Sequence, residues 1–122
     1  MPDGPTFASI RCRVDTLVAR VTSENGLGDF QPKLLQTLGK ATERTEAANG
    51  FCADANTKKA RQRSKQVIRE LTQYAHRLST RAARNKLDVT LREELRGLGE
   101  AIKPDVIALR SSMRCPEDAA AS

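Results

Sequence analysis

An all-α fold, an antiparallel up-down-up-down four-helix bundle with one disulfide, is the expectation for this chain of 122 residues, and three observations lead to it. Hydrophobic residues make up 39% of the chain but aromatics only 3%. A core of leucine, valine, isoleucine and alanine suits helix packing better than a sheet rich in β-branched and aromatic residues. Apolar residues recur at helical spacing in four successive segments. Short connections join those segments, and short connections make sequential helices antiparallel neighbours. The length suits one domain with one core, and no long internal repeat points to a solenoid.

The first segment runs from about Phe7 to Ser23, with Ile10, Val14, Leu17, Val18 and Val21 on one face. ENGLGD (24–29), with two glycines, breaks it. The second begins near Pro32, whose missing N–H costs nothing in a first turn, and presents Leu34, Leu35, Leu38, Ala41, Thr45, Ala48 and Phe51. ADAN (53–56) is the next turn, with Asp54 and Asn56 as candidate N-caps. The third is the longest, from about Thr57 to Lys86, and its stripe reads Ala60, Ser64, Val67, Ile68, Leu71, Tyr74, Ala75, Leu78, Ala82. NKLDV (85–89) closes it. Thr90 and Glu93 read as a capping box for the fourth, whose stripe is Leu91, Leu95, Leu98, Ile102, Val106, Leu109 and Met113. Pro104 inside that stripe predicts a kink or break near Lys103. Residues 1–6 read as a linker, 7–115 as the bundle and 116–122 as a disordered tail.

Charge singles out one segment. The chain carries +6 overall, yet residues 57–86 hold ten lysines and arginines against one acid, Glu70, for +9, and the remainder is −3. Lys58, Lys65 and Arg69 fall on one side of the polar face. Lys59, Arg63, Arg77, Arg81 and Arg84 fall toward the other, with Arg61 and Lys86 near the apolar border. Two readings stand side by side: a solvated face whose long stems cover apolar surface, or an electrostatic footprint for a polyanion, whether acidic glycan, anionic lipid headgroup or nucleic acid. Interleaved aromatics for base stacking are missing, since Tyr74 points to the core stripe, and no helix-turn-helix, zinc-finger or basic-zipper pattern occurs.

The three cysteines follow from the topology. Cys12 starts an odd helix, while Cys52 and Cys115 end even ones, so all three converge on one pole of an alternating bundle. Cys12 and Cys52 are the best disulfide pair, with Cys115 a free or intermolecular thiol; the alternative is three buried, unpaired cysteines acting as small hydrophobes. No metal site is expected, because zinc wants four ligands and His76 lies about 30 Å along the third helix from that pole. No cofactor and no catalytic residue is expected either. No thiol or hydroxyl has a histidine base in reach, no Glu-x-x-His motif suits a di-iron bundle, and the GLG triplets at 26–28 and 97–99 lack a strand–turn–helix context. Glu93, Glu94, Glu100 and Asp105 lie off the apolar stripe, facing water or lysines. Gly97 and Gly99 read as points of close helix approach, or as loosening the chain near Pro104. No run approaches the ~18 apolar residues of a membrane span, and MPDGPTFASI lacks the basic and apolar regions of a signal peptide.

CRVDTLVARV, followed by FCADANTKKARQRSKQVIRELTQYAHRLSTRAARNKLDVTLREELRGLGEAI, resembles a helical module found at the C-terminal ends of modular secreted bacterial proteins. The resemblance spans nearly all of residues 10–115. It rests on the Cys–x₄–Leu start, the FC about forty residues on, the NTKKA entry to the basic helix and the final Leu/Ile stripe. It implies an extracellular, non-catalytic binding or spacer appendage joined to upstream domains, with a Cys12–Cys52 bridge, PDGPT as interdomain linker and Met1 as an expression artefact. Two other readings are a small cytosolic nucleic-acid-associated protein using the basic helix, and a helical regulatory subunit docking a partner protein near Gly97–Pro104. The expected partners are therefore upstream domains, an anionic surface polymer or a partner protein, with no small-molecule substrate.

Overall fold

The computed structural model describes residues 4–119. They form five α-helices and no strand: α1 Phe7–Ser23, α2 Phe30–Ala53, α3 Thr57–Ser79, α4 Arg81–Lys86 and α5 Val89–Ser112. α2 packs along α3, α3 along α5, and α1 lies against both α2 and α5. One core results, with Leu17, Leu34, Leu71, Tyr74, Leu95 and Ile102 all at 2% exposure or less. Each large aliphatic side chain so buried contributes roughly 1.5–3 kcal/mol before conformational entropy is counted.

Side chains finish the helices. Thr6 Oγ1 accepts from the Ser9 N–H at 3.1 Å and starts α1. At its other end, Gln31 Nε2 reaches back from α2 to the carbonyls of Val21, Thr22 and Glu24 at 2.9–3.1 Å, satisfying acceptors that a helix C-terminus leaves open. Leu27 of the connecting loop plugs into the core, and Gly28 takes φ +53°, a left-handed conformation that glycine adopts without steric cost. α2 closes through Ala55, at φ 61°, with the Asn56 N–H donating to the Phe51 carbonyl at 2.8 Å. Asn56 Oδ1 then caps α3 by accepting from the Lys59 N–H.

The structure departs from the sequence reading at several points. The long third helix is two helices. Thr80 is extended (φ −66°, ψ 158°), and its hydroxyl accepts from the Ala83 N–H to start α4, the competition with the backbone that threonine offers. The reset rotates the chain, so Ala83 and Leu87 are buried while Ala82 is exposed. α5 is capped by Asp88, which accepts from the Leu91 N–H at 3.0 Å; Thr90 and Glu93 form no capping box. α5 runs unbroken through Pro104. Leu98 of the expected stripe is 43% exposed. Of the expected disordered tail, residues 116–119 form a turn in which Asp118 Oδ2 accepts from the Arg114 N–H, and 120–122 lie outside the described residues. Of the expected linker, Thr6 caps α1, the Gly4 carbonyl accepts from Arg13 Nη2, and 1–3 lie outside the described residues.

The disulfide expectation is corrected too. Cys52 bonds to Cys115, with 4.7 Å between their Cα atoms, and Cys12 is a free, half-buried thiol. Cys52 stands on the buried face of α2, whereas Cys12 stands two residues before core Val14 and so on the far side of α1. Cys12 opens onto a cleft between α1 and α2 lined by Thr45, Glu46 and Asn49. Denatured, unreduced protein should therefore titrate one thiol per chain, falling to none in Cys12→Ser; three thiols would remove the bond.

Candidate anion-binding surface

Ion pairs divide this molecule into two halves. Arg11 pairs with Glu46 at 2.7 Å across α1 and α2. Arg13 with Asp105 and Arg20 with Glu94, both at 2.7 Å, tie α1 to α5. On α5, Arg96 sits between Glu93 and Glu100, and its hydrogen bond holds the Glu93 carboxyl below the usual range. The acids of α5 thus partner arginines, not lysines. Among the described residues, no ion pair involves residues 57–86. The +9 segment is left without carboxylate partners.

The predicted basic residues separate into three groups. Lys58, Lys65 and Arg69 are exposed and stand opposite the buried stripe of α3. Along the axis Lys65 lies about 10 Å from Lys58, and Arg69 about 6 Å further. Exposed His76 continues the same row. A second group is held by α2. Lys59 Nζ and the Arg63 guanidinium sit 5.4 and 5.9 Å from the Phe51 ring centroid, within cation–π range, and Arg77 Nε donates to Thr37 Oγ1 at 3.2 Å. The third group turns away from the row. Arg61 lies on the α5 side, its carbonyl accepting from Arg110 Nε, and Arg81 and Arg84 are on α4, with Arg84 Nε donating to the Ser79 carbonyl.

Phe51, read as part of the α2 apolar face, packs half-buried against the core as expected, and its contact with two cations of α3 is what sequence reasoning missed. Its contacts cross the α2–α3 turn, eight and twelve positions along the chain, a spacing no single-helix pattern contains. Its ring carries two cations within cation–π range. Tyr74 is fully buried, its hydroxyl donating to the Leu95 carbonyl at 2.8 Å, and burial pushes its phenol above the ordinary value while Arg20 opposes. α3 packs against both α2 and α5 and presents its remaining face to solvent.

Among the described residues, no three His, Cys, Asp or Glu side chains gather as a metal site, and no helix is long and apolar enough to cross a membrane. No protein-family model matches this chain, and no curated protein or solved structure matches it.

Proposed function

We propose that this chain is a non-catalytic helical module of a secreted or cell-surface bacterial protein, which binds an anionic surface polymer through the outer row of α3. The observation that carries the reading is the lack of any ion pair across residues 57–86, while Arg11, Arg13, Arg20, Arg92 and Arg96 all hold carboxylates. Uncompensated cations in a row condense a linear polyanion by releasing its counterions. The Cys52–Cys115 bond favours an oxidising compartment. The contacts of α1 with α2, α2 with α3, α3 with α5 and α5 with α1 make a closed ring. That ring supports the up-down-up-down four-helix arrangement, with α4 as a short insertion.

Lys58→Glu, Lys65→Glu and Arg69→Glu combined should lower the salt concentration at which the protein leaves a heparin column. The slope of log affinity against log salt should fall by roughly 0.7–0.9 for each cation that no longer meets the polymer. The far-ultraviolet circular dichroism should not change, because all three side chains face solvent. An unchanged elution point in the folded triple variant would refute the reading.

A further inference from the structure

We infer that a second, concave site lies where α2, α3 and α4 meet, built for a small organic anion: an oxyanion, carboxylate or phosphate monoester, carried on an aromatic or apolar body. Lys33 of α2, Arg77 of α3 and Lys86 of α4 line one cavity of about 360 Å³. Asp29 is the acid among its walls, and it makes neither an ion pair nor a side-chain capping bond. Three cations drawn from three helices into one concavity raise its potential, because low-dielectric walls focus the field. An entering anion relieves that repulsion.

Arg77 is the anchor. Its Nε is held by Thr37 Oγ1, whose residue is 3% exposed, so the guanidinium is fixed in place. Among the described residues, no protein acceptor takes its Nη groups, which leaves a two-toothed fork suited to an oxyanion. The carbonyls at the end of α3, which would repel an anion, are occupied. Thr80 Oγ1 donates to the Arg77 carbonyl, Arg92 Nη1 to that of Leu78, and Arg84 Nε to that of Ser79.

The remaining wall is apolar. The half-buried Phe30 ring and Ala82 face the same space. A further cavity of about 230 Å³ shares Asp29, Phe30 and Lys86 and extends past Gly28 to Leu87. Cavities of about 300 Å³ and upward hold small ligands. The site is separate from the α3 row: Lys58, Lys65 and Arg69 do not line it.

Titration of the ¹⁵N-labelled full chain with phenyl phosphate, benzoate, inorganic phosphate and benzyl alcohol tests this. Saturable shifts are expected at amides of residues 29–33 and 77–83 with phenyl phosphate or benzoate, and the tighter of the two identifies the oxyanion. Inorganic phosphate should bind at least fivefold more weakly than phenyl phosphate, and benzyl alcohol should not saturate. Arg77→Lys, which keeps the charge and loses the fork, should weaken binding about tenfold. Lys86→Gln, at an exposed position, should weaken it about threefold without altering the free spectrum. Lys58→Gln should change nothing. The absence of saturable shifts at millimolar ligand, shifts centred elsewhere, or undiminished binding by Lys86→Gln would overturn the site. Such a failure leaves the heparin result untouched, so the two proposals fall separately.

Discussion

Truncating Tyr74 to alanine is expected to destabilise the protein by about 3–5 kcal/mol, the range for deleting a buried aromatic, measured as a lowered urea midpoint with the disulfide intact. Tyr74 is fully buried on α3, where its ring lies against the α5 backbone at Gly99. A Cβ built at Gly99 would stand 2.6 Å from Tyr74 Cε2 and 2.7 Å from Cδ2. The ring is fully buried and its hydroxyl is bonded to the Leu95 carbonyl, so it has little room to withdraw from an added methyl. Gly99→Ala should therefore cost about 1–3 kcal/mol, even though alanine favours a helix over glycine by up to about 1 kcal/mol. Gly97, two residues away with open space around it, is the control: Gly97→Ala should be neutral or stabilising. In the Tyr74→Ala background the Gly99→Ala penalty should vanish, since the ring that causes it is gone. A penalty that survives in the double variant would show that Gly99 is needed for some reason other than this close approach.

Removing the Cys52–Cys115 bond should cost about 4 kcal/mol in the chain-entropy model, because it cross-links residues 63 apart in sequence. That is a large part of the roughly 5–15 kcal/mol by which a domain is normally stable. Cys52→Ser with Cys115→Ser, or reduction of the wild type, should lower the urea midpoint by a matching amount. Cys12→Ser should leave it nearly unchanged, because the thiol is half-exposed and unpaired. The reverse pattern, with Cys12→Ser damaging and Cys115→Ser harmless, would establish the Cys12–Cys52 pairing instead. The bond joins the end of α2 to the turn after α5, so reduced protein should lose hydrogen-exchange protection first around Met113 and Cys115.

Much of this molecule is legible in the sequence. The bounds of α1, the first-turn place of Pro32, the Asn56 cap, the buried stripe Ala60–Leu78 and exposed His76 can all be read from spacing, because each depends on neighbours within a few residues. The break at Thr80 is not. The apolar period continues through it, and only the choice between a helical and an extended Thr80 decides whether Ala82 or Ala83 faces inward. The anion cleft is equally hidden. Lys33 stands dozens of residues before Arg77 and Lys86, and it carries no signal of its own.

By itself, then, the sequence determines that this chain is helical and where its charge is concentrated, because local periodicity and composition are properties of short segments. Tertiary structure alone decides which cysteines bond, which cations remain free and where a ring meets a glycine. Counting along helices gives a residue's height on the axis, but pairing also depends on the direction in which its side chain points and on the neighbour that direction meets. Cys12 lies toward the same end of its helix pair as Cys52 and faces away from the core, whereas Cys115, beyond the last helix, is folded back against it.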